Sequence, residues 1–377
     1  GAAPVWSEHE GRTTVPINFD PYGSVFVVFR AAANTSDHLV AVMPPGAAKP
    51  VEPPNIEVRL ARYEATDGAG GADVTARLVA MVRAGQTSIP ADNATFGDSS
   101  VNHVKRLRVE YSLNGKPLTR SVEEHGTLEL ADAAGPDAPP TFLLSDAARG
   151  AMELLAFEPG VYQFRTARGS TPTVQVKSVP APMELRGPWL VQFPPHWGAP
   201  PSITLDTLGS WTQSAESGVR YFSGTAEYSK EFEIPAAMLA SGTALYLDLG
   251  SVKYIAEVTL NGHNLGIWWK PPFAAEITAA AKSGTNQLKV RLTNLWVNRL
   301  IGDEQFPDDC EWNGKPIKRW PQWMIDGTPR PVRERFTFTT WKHYTRDSAL
   351  VESGLIGPVV LRPAERVTVD AGTSEKP

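Results

Sequence analysis

The chain has 377 residues, a formal charge of −5, 42% hydrophobic residues, 33 Pro and 31 Gly. That length exceeds what one core usually serves, so two or three domains are expected, and the Pro and Gly content favours short strands and turns over long helices. The acidic balance leaves no footprint for nucleic acid and no basic cluster for a membrane surface, and nowhere do about 18 apolar residues run together as a helical bilayer span requires.

From the start, GAAPVWSEHEGR reads as a processed end with no visible signal peptide. Val25 to Phe29 read as a short buried strand closed by Arg30, with Pro-rich coil from Pro44 to Pro54. Residues 55–132 then read as a unit of their own: strand NIEVRLARYEA, a helix, and strand KRLRVEYSL turning at Asn114-Gly115. Asp73 is placed to cap the helix, Val74, Leu78, Met81 and Val82 recur at helical spacing, and Gly85 ends it. Leu107, Val109, Tyr111 and Leu113 alternate with Arg108, Glu110 and Ser112, so the sheet beneath that helix buries one face and wets the other. After ADAAGPDAPP, strands resume at Val161 to Thr166 and Val174 to Val176, and are expected to pair with Val25 to Phe29 across the intervening unit. The resulting division is 1–54 plus 141–180 as a split N-terminal β-sandwich, 55–140 as an inserted small α+β unit, 181–365 as a final domain and 366–377 as a tail.

From Pro180 the composition changes, since ten of the 11 Trp lie at or after Trp189 and only Trp6 precedes it. Core packing is the ordinary use of an indole, whereas an exposed one stacks on the C–H face of a sugar while nearby amides, carboxylates and guanidinium groups take the hydroxyls. Val258 and Leu260 alternate with polar neighbours before Asn261-Gly262, the signature of a type I′ hairpin. Trp268 and Trp269 follow it, and neighbours in an extended segment point to opposite faces, so one is expected inside and the other, Trp269, outside. Residues 294–327 show little strand or helix signal yet carry Trp296, Trp312, Trp320 and Trp323 among Asn298, Arg299, Asp303, Glu304, Asp308, Asp309 and Glu311. Such a long loop inside a domain is generally functional or disordered, and its aromatics argue against disorder. The expected carbohydrate-binding residues are therefore Trp269, Trp296, Asn298, Arg299, Asp303 and Trp320.

No catalytic residue is assigned. Two carboxyl groups at a fixed separation drive glycoside hydrolysis, but loop spacing does not set that separation, and pairing with Arg is the ordinary fate of such side chains. No cofactor is expected, with a structural calcium shared by Asp303, Asp308 and Asp309 as the alternative. The lone Cys310 excludes an intrachain disulfide and reads as a spare thiol, and seven scattered His show no zinc-site spacing. There is no G-x-S-x-G elbow, Gly68, Gly70 and Gly71 do not make a phosphate loop, and one good helix is far from a (β/α)₈ barrel.

The order of pieces over 224–294, GTAEYSKEF, LYLDLGS, VTLNG, the aromatics, a Pro-Phe turn and GTNQLKV, resembles the sugar-binding jelly-roll domain of family 2 glycoside hydrolases. More widely, TVPINFDPYGSVFVVFR, GPWLVQFPP, SGVRYFSGTAEYSKEF, NLWVNRLIGD and SGLIGPVVL resemble the C-terminal part of family 106 glycoside hydrolases, bacterial α-L-rhamnosidases and relatives. In that family a catalytic barrel precedes β-rich accessory domains and supplies the acid and base. Nothing here aligns with the barrel, so no catalytic residue carries over. The resemblance implies a mainly β chain of β-sandwich domains with a C-terminal galactose-binding-like jelly roll and a small α+β insertion. It further implies a secreted or periplasmic bacterial carbohydrate-binding region whose partners are a plant or algal polysaccharide side chain and an associated catalytic barrel. A rhamnosidase-like hydrolase, whole or lacking its barrel, and a purely structural scaffold are the alternatives.

Overall fold

Asn261 and Gly262 take φ of 50° and 82° in the computed structural model and turn strand Ile255–Leu260 into strand His263–Trp268. Positive φ at both centres is what a type I′ turn demands, and Asn261 tolerates it while its side chain binds across the sheet. Its Nδ2 donates to Asn286 Oδ1 at 2.7 Å and to Ala280 O at 2.9 Å, fixing the turn to the next strand. The structure describes residues 3–17, 24–29, 38–46, 55–84, 86–113, 115–130, 139–146 and 152–369. These fall into two compact units, one from the segments up to Pro45 and from Pro139 onward, the other from the chain between them.

In the larger unit, Ser202–Leu205, Trp189–Gln192, Thr225–Ile234, Gly284–Thr293, Ile255–Leu260 and His263–Trp268 form an antiparallel sheet in that order. A second sheet runs Phe142–Asp146, Met152–Ala156, Val360–Val369, Thr243–Asp248 and Ala274–Glu276, with Met183–Glu184 also on Val360–Val369. Alternate residues point inward, so Trp189, Val191, Tyr228, Val258, Val290 and Leu292 of one sheet meet Leu245, Leu247 and Leu361 of the other in one core. The chain is mainly β and sandwich-built, as its composition and alternation imply.

Strand Val360–Val369 serves two cores. Leu361 belongs to the large one, whereas Val369 packs with Leu39, Leu154, Tyr162 and Phe164 beneath the three-stranded sheet Thr173–Val176, Gly160–Thr166 and Leu39–Met43. Here the expected pairing is corrected: the partner of Gly160–Thr166 is Leu39–Met43, not Val25 to Phe29. Val25 to Phe29 form no strand, and Phe26 is 93% exposed. Leu39–Met43 is an equally apolar run of five, and it is this run that takes the place beside Gly160–Thr166, with Leu39 1% exposed. The C-terminal strand also runs past residue 365, because Arg366 to Val369 continue the ladder with Met152 to Leu155.

The smaller unit is a four-stranded antiparallel sheet, Gly71–Asp73, Ile56–Ala65, Lys105–Leu113 and Lys116–Glu123, with helix Thr75–Arg83 beside it. The N-cap residue is Val74, with no side-chain cap, and not Asp73 as expected. Asp73 lies one position earlier, where its Oδ1 accepts from Thr75 N at 2.9 Å, and Leu78 is fully buried against Tyr63, Leu107, Val109 and Tyr111. Gly85 and Asn114 lie outside the described residues. Because this unit has its own core, replacing residues 55–132 by a short Gly/Ser bridge is expected to leave the rest of the chain cooperatively folded. Circular dichroism and a urea titration check this, and an insoluble or molten product would refute it.

Candidate functional site

The segment expected to be one long loop begins with a helix. Val297, Leu300 and Ile301 recur at helical spacing, and Val297–Asp303 forms an α-helix that buries Asn298, Arg299, Ile301 and Asp303. Each polar member has an internal partner. Asn298 Nδ2 donates to Val351 O at 2.7 Å, and its Oδ1 accepts from Val351 N at 2.8 Å. Asp303 Oδ2 accepts from the backbone N–H of Phe336 at 2.9 Å and from both the N–H and the hydroxyl of Thr337 at 2.6 Å. Its other oxygen lies 2.9 Å from Arg299 Nε, an ion pair one helical turn apart that is not aligned as a hydrogen bond. Burial pulls the Arg299 guanidinium down from its ordinary pKa against the pull of Asp303, and its plane covers the Phe336 ring at 4.9 Å.

The chain beyond the helix is held by ion pairs and rings. Arg335 bridges Glu304 and Asp308 at 3.2 and 3.3 Å, Lys342 reaches Asp308 at 2.7 Å, Arg330 pairs with Asp309, and Arg319 pairs with Glu311. Burial would raise the Asp309 carboxyl, but Arg330 outweighs it and holds that group below the usual carboxylate range. Burial also pushes the neighbouring Cys310 thiol up to about 11, helped by Asp309, so the reactive thiolate is scarce at neutral pH. Asp303, Asp308 and Asp309 thus face separate partners, and among the described residues no three His, Cys, Asp or Glu side chains gather to hold a metal ion. The space enclosed among Asp309, Trp312, Arg335 and Lys342 is about 20 Å³, room for one water and not for a sugar ring.

The three expected indoles are outside. Trp269 is 68% exposed, Trp296 60% and Trp320 54%, whereas Trp268 packs on the core. Trp296 is the N-cap residue of helix Val297–Asp303, and Trp320 stacks on Phe338 with centroids 5.8 Å apart. A wider opening, about 430 Å³, lies on the outer face of the six-stranded sheet between Gln192, Pro194, Trp197, Thr225, Glu227 and Arg291. Sequence reasoning missed these residues. Gln192, Glu227 and Arg291 are the outward members of alternating strands, where polar residues are the default, and only the register shows that they stand in one row.

No family model matches the chain. Over 289 residues it is 38% identical to a protein of Formosa agariphila named "Putative beta-glucuronidase", a match that takes in 76% of this chain and 24% of that protein. Among solved structures, a rhamnosidase from Novosphingobium sp. PP1Y aligns at 25% identity and a TM-score of 0.40, over 63% of this chain and 27% of that one. A β-glucuronidase of Ruminococcus gnavus aligns at 21% identity and a TM-score of 0.31, over 49% and 29%. The chain is thus homologous to part of the Formosa agariphila protein and spans about a quarter of the length of that curated relative.

Proposed function

We propose that this chain is the carbohydrate-binding, non-catalytic accessory region of a larger bacterial glycoside hydrolase, built on a galactose-binding-like jelly roll. The observation that carries the reading is the 38% identity to a segment of a protein named for β-glucuronidase activity. Two features of the chain support it. The carboxylates between Asp303 and Glu311 are engaged by Arg, Lys or backbone donors, the arrangement of a brace rather than of an acid and base flanking a scissile bond. Exposed indoles at Trp269, Trp296 and Trp320 supply stacking platforms, while Asn298 and Asp303 hold the backbone of Val351, Phe336 and Thr337 and Arg299 pairs with Asp303. In this reading the partners are a side chain of a plant or algal polysaccharide and a catalytic barrel, the place of work is the periplasm or the exterior, and the family 106-like segments make the parent enzyme rhamnosidase-like.

The test is a glycan array together with aryl α-L-rhamnoside and aryl β-D-glucuronide turnover by the same chain. Binding without turnover is expected. Replacing Trp269 or Trp320 by Ala is expected to weaken binding roughly tenfold with the fold intact, since one stacked indole contributes on the order of 1 kcal/mol beyond its area. Turnover above blank that vanishes on changing Asp308 or Asp309 to Ala would show an enzyme instead.

A further inference from the structure

The register of the six-stranded sheet builds one row of side chains across its outer face. Gln192 lies opposite Glu227, Glu227 opposite Arg291, Arg291 opposite Glu257, and Glu257 opposite Ile267. Their strand neighbours Val191, Ala226, Tyr228, Leu292 and Ala256 are buried, so the row points away from the core. The adjacent row holds Thr225, Thr293 and Ile255, with the two Thr hydroxyls 2.7 Å apart. At one end stands the indole of Trp197, 37% exposed, and at the other Ile255 and Ile267, 41% and 63% exposed. The middle is polar and the ends are apolar.

We infer that this groove is a binding site for a neutral pyranoside unit of an oligosaccharide, with Gln192, Glu227, Thr225 and Arg291 taking hydroxyls and Trp197 stacking on the ring. The inference rests on the reading that the chain binds carbohydrate, and it adds to the indoles Trp269 and Trp320 a separate site on the sheet face. A pyranose has a C–H face and a rim of hydroxyls, which matches an indole wall beside a floor of donors and acceptors. An opening of about 430 Å³ lies within the usual range for small-ligand sites, unlike the 20 Å³ inside the loop. Charge selects against an acid. Arg291 donates to Glu257 at 2.6 Å and Lys289 to Glu227 at 3.0 Å, so both cations of this face already hold a carboxylate. A uronate would have to displace Glu257 while facing Glu227.

The buried trio at the helix acquires a purpose here. Asp303 holds the backbone of Phe336 and Thr337, Arg299 covers the Phe336 ring, and that ring stacks on Trp197 with centroids 6.3 Å apart and planes 22° apart. A Cβ on Gly198 would come within 3.0 Å of the same ring, so Trp197 is carried by a backbone pressed against Phe336. Asp303, Arg299 and Phe336 are positioning residues for the groove wall.

The experiment follows the indole N–H signals of the full chain by NMR while titrating methyl α-L-rhamnopyranoside, methyl β-D-galactopyranoside, methyl β-D-xylopyranoside and, as the acid, methyl β-D-glucuronide. Trp197→Phe assigns its own signal. At least one neutral glycoside is expected to move the Trp197 signal and to bind more tightly than the glucuronide, and Trp197→Ala and Gln192→Ala are each expected to weaken that binding roughly tenfold at unchanged melting temperature. Binding that moves only the Trp269, Trp296 or Trp320 signals, indifferent to Trp197→Ala and Gln192→Ala, would overturn the groove and leave the carbohydrate reading standing. Tighter binding of the glucuronide would overturn the neutral class. No response to any of the four removes the carbohydrate reading and this site with it.

Discussion

Asp303→Ala is expected to destabilise the larger unit by about 3–5 kcal/mol, because it strips the counter-ion from a buried guanidinium and orphans two backbone donors at once. The Arg299 side chain is 4% exposed and that of Asp303 2%, so water cannot replace the lost carboxylate without opening the fold. Local helix energetics do not explain the Asp. A carboxylate at the last residue of Val297–Asp303 faces the negative end of the helix dipole, so its favourable interactions are those with Arg299, Phe336 and Thr337. Asp303→Asn keeps an acceptor for those donors and loses only the charge, so it should fall between wild type and Ala. Urea unfolding followed by tryptophan fluorescence measures both variants. A loss below about 1 kcal/mol for Asp303→Ala, the level of an exposed ion pair, would show that the pair does not bear on the fold.

The residues differ in how far their fate was written in the sequence. The turn at Asn261-Gly262 was legible because two consecutive positive φ values restrict the choice to such residues. The opposite facing of Trp268 and Trp269 follows from the period of an extended chain, which needs no tertiary information. Val25 to Phe29 shows the reverse, since apolarity signals a wish for burial and does not say which element will supply it; Leu39–Met43 took that place beside Gly160–Thr166. At the candidate site the residue types were legible and their use was not. Asn298, Arg299 and Asp303 have the chemistry of sugar contacts, yet their partners are Val351, Phe336 and Thr337, thirty or more positions along the chain. The row Gln192, Glu227, Arg291 and Glu257 comes from four strands, and no local pattern aligns residues that only sheet register brings abreast.

Trp211→Ala is the second large effect expected, a loss of about 3–5 kcal/mol, as is usual for truncating a buried Trp. Trp211 is 2% exposed and opens a short 3₁₀ turn, Trp211–Gln213. Its ring meets Phe193 and Phe222 edge-on, with centroids 5.7 and 5.5 Å away, and stacks on Tyr228 at 6.1 Å. A Cβ on Gly354 would lie 3.0 Å from its indole Nε1, so the backbone of strand Gly354–Gly357, which pairs with Ser251–Lys253, is also fitted to the indole. Against a typical domain stability of roughly 5–15 kcal/mol, that loss is large enough to move the urea midpoint well outside error while leaving a folded population to study. The consequence reaches the groove, because Phe193 lies between Trp211 and the opening lined by Gln192 and Pro194. A cavity beneath Phe193 lets that segment settle inward, so Trp211→Ala should weaken glycoside binding as well as stability, whereas Trp320→Ala, at a residue 54% exposed, should leave the midpoint nearly unchanged. Equal midpoints for Trp211→Ala and wild type would refute the assignment of Trp211 to the core. An unaltered affinity in a clearly destabilised Trp211→Ala would instead separate the groove from the core beneath it.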